Sequence, residues 1–112
     1  MTTHLLNAAV MPQPGIYELH PIDQETFTRE VRTAFLDDTL RHYIGYETTL
    51  LLIEGISKVS LGGVNRDQTT LRDGDVFLIA RLIYRVDAAG KRSGREVSIN
   101  DFEFFRGVYT AT

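Results

Sequence analysis

Arg41-His42-Tyr43-Ile44-Gly45-Tyr46-Glu47-Thr48-Thr49-Leu50-Leu51-Leu52-Ile53 is the stretch on which the fold turns. It reads as a short glycine loop that opens directly into an apolar helix. A glycine ahead of a helix lets another molecule approach the backbone closely. The first helical turn then points unpaired N–H groups outward, where an anion is electrostatically favoured. The residues alone leave two readings of Ile44-Gly45-Tyr46: the floor of an anion site, or a tight turn. Glycine before a helix is common, so the turn is the plainer of the two.

Upstream, His4-Leu5-Leu6-Asn7-Ala8-Ala9-Val10 is a short, mostly apolar run that ends in Met11-Pro12-Gln13-Pro14-Gly15, a buried strand followed by a turn. Ile16-Tyr17-Glu18-Leu19-His20 alternates in strand fashion and is expected to stop at Pro21. Asp23 suits a helix N-cap, and Phe27, Val31, Ala34 and Phe35 recur at helical spacing, which predicts an amphipathic helix over about 24–37.

Downstream, the second helix is expected to end near Gly55. Lys58–Leu61 and Val64–Leu71 flank the turn signal Gly62-Gly63, and Arg72-Asp73-Gly74-Asp75 marks a second turn. Val76–Val86 is the longest apolar run and predicts a central strand. On it Phe77, Ile79, Arg81, Ile83 and Arg85 share one face. Two arginines at the end of an apolar face are costly unless an anion or water meets them. Residues 88–95 read as a flexible basic loop, Ser98–Asp101 as a helical turn and Phe102–Tyr109 as a closing strand. The coarse order is β-β-α-α-β-β-β. It predicts an α/β (α+β) fold, with a mixed sheet of about five strands and two main helices packed on it.

A chain of 112 residues is expected to form one domain, 1–112. With 43% apolar and 24% charged residues, its composition is that of an ordinary globular protein. There is no cysteine, which excludes disulfides and cysteine-ligated metal and makes the reducing cytoplasm the expected location. No run approaches a membrane span and no signal-peptide pattern opens the chain, so no membrane partner is expected. A net charge of -3 argues against a broad grip on duplex DNA, but permits a small anion held by a few arginines.

His4, His20 and His42 have no metal-ligand spacing, so a structural or solvated role is favoured and no metal or cofactor is expected. There is no nucleophile elbow, no phosphate-cradling loop with its lysine and no cysteine nucleophile. Asp37-Asp38 and the Asp73/Asp75 pair sit where helix ends and turns prefer acids. Asn65-Arg66 reads as turn residues or as polar ligands, and the turn is the simpler reading. Phe102, Phe104, Phe105 and Tyr109 fit a strand core better than a base-stacking platform.

Several of these stretches occur together and in this order in one known family. Leu5-Leu6-Asn7-Ala8 is followed by Gly15-x-Tyr17. Ile44-Gly45-x-Glu47-x-Thr49 opens the second helix. Asn65-Arg66 comes next, then Gly74-Asp75 before the long strand, Arg85 at its end and Phe102-Glu103-Phe104 in the tail. On these residues the chain resembles the small viral type III anti-CRISPR ring nucleases and their bacterial and mobile-element relatives. The resemblance spans nearly the whole chain. It implies a two-fold homodimer that binds cyclic tetra-adenylate, a second messenger, in a pocket across the subunit interface. A symmetric ring suits an isologous interface, since each subunit offers the same anion site to half of it. In the enzymes of the family a ribose 2′-hydroxyl attacks its neighbouring phosphorus without metal, and a histidine protonates the departing oxygen.

The sequence departs from that pattern where the acid should stand. The histidine position is Tyr46, and the glutamate position is Ala88 or Asp87. Apolar Val10 replaces a small polar residue. Asn7, Gly45, Asn65, Arg66 and Arg85 remain as binding positions, with Arg81 as a further candidate for holding phosphate and Tyr46 for stacking on a base. Tyrosine titrates near 10 against about 6.5 for histidine, so it is a poorer proton donor at neutral pH. Loss of a general acid typically costs about 10²–10⁴ in rate. The expectation is therefore a sponge or sensor that captures a cyclic oligonucleotide and cuts it slowly or not at all. The alternatives are a working ring nuclease that uses Tyr46, aided by Arg81 or Asp87, a binder of a different cyclic nucleotide, and a plain interaction module.

Overall fold

The computed structural model describes residues 2–8, 13–83, 91–92 and 95–112, with backbone alone for 91, 92, 95 and 96. The elements run β1 (Thr3–Leu6), β2 (Ile16–Ile22), α1 (Gln24–Leu36), β3 (Leu40–Tyr43), α2 (Glu47–Ser57), β4 (Val76–Leu82), β5 (Lys91–Arg92), β6 (Arg95–Glu96), a 3₁₀ turn (Ile99–Asp101) and β7 (Phe102–Thr110). Five strands form one mixed sheet in the order β2-β7-β4-β1-β3, and β5 pairs with β6 as a separate small ribbon. β1 lies parallel to both β3 and β4, while β7 runs antiparallel to β4 and β2. This is the α+β fold expected from the sequence, with β4 in the middle of the sheet.

The local chemistry explains each boundary. Asp23 caps α1, its Oδ1 accepting from the Thr26 amide at 2.7 Å. Phe27, Val31 and Ala34 then turn inward, as their spacing requires. α2 buries Thr49, Leu50, Ile53 and Ser57. Both helices cover one face of the sheet, where Phe27, Val31, Leu50 and Ile53 pack on Leu5, Leu78, Ala80, Phe102 and Phe104. Burying a side chain such as Phe27 fully contributes about 1.5–3 kcal/mol. Among the described residues, no helix covers the opposite face. There Leu6, Phe77, Ile79 and Tyr109 are closed over by Leu71 from the α2–β4 loop, with Tyr17, Tyr43 and Phe105 at the margins.

Four expectations are corrected. Arg41–Tyr43, read as part of the glycine loop, belong to a strand, Leu40–Tyr43, that adds to the free edge of β1. Neither Lys58–Leu61 nor Val64–Leu71 supplies the further strand that the coarse order placed between α2 and Val76. Residues 58–75 are irregular and are tied down by side chains instead of by a ladder. β2 does not stop at Pro21. It is an edge strand, where a missing N–H is tolerated, and it continues to Ile22 opposite Phe104. α2 passes Gly55 and ends at Ser57, because Lys58 takes the left-handed C-cap conformation (φ 58°) and its amide returns to the Glu54 carbonyl. Within the segment read as a flexible loop, the pairing of Lys91-Arg92 with Arg95-Glu96 is the part that is described.

Candidate functional site

The parallel register fixes where the sequence candidates fall. Leu6 is level with Tyr43 on one side and Ile79 on the other, so β3 and β1 end together while β4 continues past them to Leu82. Asn7 follows β1 there, Ile44-Gly45-Tyr46 follow β3, and α2 starts at Glu47. Ligand crevices in α/β sheets commonly lie beyond the carboxyl ends of parallel strands.

Four of the candidates meet at this edge. Asn7 Oδ1 accepts from the Gly45 amide at 3.4 Å, a long bond. Arg66 Nε donates to the Gly45 carbonyl at 3.1 Å. Asn65 donates through its amide to the Ile44 carbonyl at 2.9 Å, and through Nδ2 to the His42 carbonyl at 3.0 Å. A Cβ on Gly45 would lie 3.3 Å from Arg66 Cγ, so glycine leaves the arginine room to lie against the loop. Tyr46 completes the group as the N-cap residue of α2, with no side-chain capping bond and a side chain 64% exposed.

The arrangement differs in detail from an open glycine floor. The Gly45 amide already faces Asn7, so the donors left for an anion are the next amides of the α2 start, the Asn7 amide nitrogen and the outer nitrogens of Arg66. Glu47 in the first turn complements the helix dipole but adds a negative charge beside those donors.

Arg81 stands apart from the cluster. It projects from the face without helices, where its Nη2 meets Glu103 Oε2 at 2.7 Å and its guanidinium lies 5.1 Å from the centre of the Phe105 ring. A protein carboxylate and an aromatic ring therefore supply the partners that the sequence left open for this arginine. Arg85, Val10, Asp87 and Ala88 lie outside the described residues.

The sequence reading missed a buried network at the other end of the sheet. His4, 3% exposed, places Nε2 2.9 Å from Asp75 Oδ2 and Nδ1 2.9 Å from Thr69 Oγ1. Asp75 also accepts from the Arg72 amide at 2.9 Å and the Thr2 amide at 3.3 Å. Burial pushes its carboxyl up, but the Arg72 amide, His4 and the Thr2 amide outweigh burial and hold it below the usual carboxylate range. The one available signal was a histidine on an otherwise apolar strand. Two grooves of about 490 and 510 Å³ lie elsewhere, the first against Pro21, Phe102 and Phe104, the second against Arg29, Arg32 and Leu36 of α1 and Ile56 of α2. Among the described residues, no group of three or more His, Asp or Glu side chains could hold a metal ion. No helix among them is long and apolar enough to cross a membrane.

Fold and site together define a small α+β protein with a cluster of polar side chains beyond the ends of β1 and β3. The chain belongs to the STIV B116-like family, whose model matches residues 3–104. It is similar in fold to a solved structure, B116 of Sulfolobus turreted icosahedral virus, with a TM-score of 0.77 and 21% identity. The match covers 96% of this chain and 99% of that one. No curated protein matches the sequence.

Proposed function

We propose that two copies of this chain, each one ring-nuclease-like domain of residues 1–112, bind a cyclic oligoadenylate across their interface. Cyclic tetra-adenylate is the first choice of ligand, and the role is that of an anti-CRISPR or signalling sponge or sensor in the cytoplasm. The reading rests on the ring-nuclease resemblance in the sequence together with one observation: Asn7, Gly45 and the Asn65-Arg66 pair, from three separate parts of the chain, converge beside the uncapped start of α2. Arg66 offers a charged fork to a phosphate, the first-turn amides offer donors, and exposed Tyr46 offers a ring for a base. Arg85 and Arg81 serve as further phosphate ligands, Arg81 by exchanging Glu103 for the ligand.

Isothermal titration with cyclic tetra-adenylate, paired with sedimentation of the free protein, tests the proposal. Saturable heat and a two-subunit mass are expected. No heat and no thermal shift with any cyclic oligonucleotide, or a protein that stays monomeric when saturated with ligand, would end it.

The exposure of Tyr46 beside these donors supports one alternative, a slow metal-independent nuclease in which its phenol replaces the family histidine. Labelled ring incubated with excess protein separates the two. Full recovery of intact ring after hours excludes the enzyme, whereas cleavage that disappears in Tyr46→Phe supports it.

A further inference from the structure

Arg66 is carried by residues 58–75, an irregular segment between α2 and β4. Loops of this length in compact proteins are uncommon and are often functional. An arginine on such a loop would ordinarily sample many rotamers, and ordering it on a ligand would lower affinity. Here its backbone is held on both sides. Just before it, the Asn65 side chain spans the loop: Nδ2 donates to the His42 carbonyl at 3.0 Å and Oδ1 accepts from the Asp67 amide at 2.9 Å. The Asn65 amide reaches the Ile44 carbonyl as well. Three residues after Arg66, Thr69 is anchored on buried His4. Arg66 is left exposed between these two pins, with only Nε bound to the backbone of Gly45.

We infer that Asn65 is a positioning residue and not a ligand contact: its side chain fixes the loop so that Arg66 presents its two outer amino groups already aimed at an incoming phosphate. An asparagine amide has two N–H donors and two acceptor lone pairs. One donor is spent on the His42 carbonyl of β3 and one acceptor on the Asp67 amide that follows Arg66, so the side chain joins the strand end to the loop. Reaching for a ligand with this side chain would release the very turn that holds the arginine. The inference rests on the reading of this edge as an anion site, but its first test needs no ligand.

In the isotopically labelled, ligand-free protein, the Nδ2 protons of Asn65 and the Nε proton of Arg66 are expected to exchange slowly with water, unlike the Nε proton of Arg72 on the exposed turn. Asn65→Ala should return the Arg66 Nε proton to the fast exchange of an open arginine while circular dichroism stays unchanged. Retention of slow exchange at Arg66 in that variant overturns the inference.

The second test titrates cyclic tetra-adenylate at several salt concentrations. Asn65→Ala should weaken binding about three- to ten-fold, the cost of re-ordering one long side chain, with the salt slope unchanged. Arg66→Ala should lower that slope by about one phosphate contact, roughly 0.7 in log–log units. Should Asn65→Ala fail to fold, the wild-type titration decides: the Asn65 Nδ2 resonances hold their position while those of Arg66 move. Large shifts at Asn65 Nδ2 on saturation would make it a ligand contact and sink the idea. If the wild-type protein binds no cyclic oligonucleotide, the functional reading falls, and the ligand-free exchange alone judges the positioning role.

Discussion

Under the proposed function Arg66 supplies charge and Gly45 supplies space, and substitutions should separate the two. A hydrogen bond to a charged group contributes about 1.5–3 kcal/mol, so Arg66→Ala should weaken cyclic tetra-adenylate by roughly 10- to 150-fold in calorimetry. Gly45→Ala should do less. Its added carbon presses only on the flexible stem of Arg66, so thermal unfolding should stay within about 0.5 kcal/mol of wild type while affinity drops several-fold. Asp75 offers a different readout. Its carboxyl is held below the unfolded value of about 3.9, so the stability it contributes is complete above that pH and is lost as pH falls through the folded value. Urea midpoints measured from neutral to strongly acid pH should therefore decline, and Asp75→Asn should flatten the acid limb. At neutral pH the same change should cost about 1–3 kcal/mol, because it leaves the His4 network poorly matched.

At the scale of elements, β7 passes beneath Phe77 at Gly107, where any Cβ would collide with the buried ring and with the Glu18 carbonyl of β2. Gly107→Ala should therefore lower stability by about 1–3 kcal/mol or more, visible as a depressed melting temperature. Gly107 was legible only as part of an aromatic strand. Its need to be glycine comes from strands that are remote in sequence. The same contrast runs through the fold. Asp23, the helix it starts and the apolar run of β4 were readable because capping and periodicity are local signals. β3 was not, because four residues, one of them Arg41, carry no periodicity, and the strand exists only because β1 has an unfilled edge. Residues 58–71 misled in the opposite direction, since the coarse order required a strand there while Asn65, Thr69 and Leu71 supply tertiary anchors that no window of sequence displays.

Among the candidate residues, Asn7, Gly45, Asn65 and Arg66 were singled out as a set only through the ordered resemblance; taken singly, Gly45, Asn65 and Arg66 looked like turn residues and Asn7 like part of a strand. The oddity of Arg81 was legible as well, but its answer lay across the sheet in Glu103, a pairing that depends on the β4–β7 register. For the molecule as a whole, the symmetric-ligand reading makes stoichiometry the measurement that matters: one ring per two chains. A ratio of one ring to each chain in the titration would remove the shared pocket even if affinity were high.

The strand order carries a last implication. Among the described residues β2 has a single partner, β7, and β4 joins β7 to the parallel block of β1 and β3. During synthesis on the ribosome, the segment that becomes β2 emerges more than eighty residues before its final pairing residue, Thr110, does. Until then its edge, including Ile16 and Leu19, has no neighbour from its own chain. Long-range pairing of this kind slows folding and leaves nascent chains prone to wrong associations. Pro21 in that waiting strand then acts as a guard, since it denies one rung to any foreign strand that tries to dock there first.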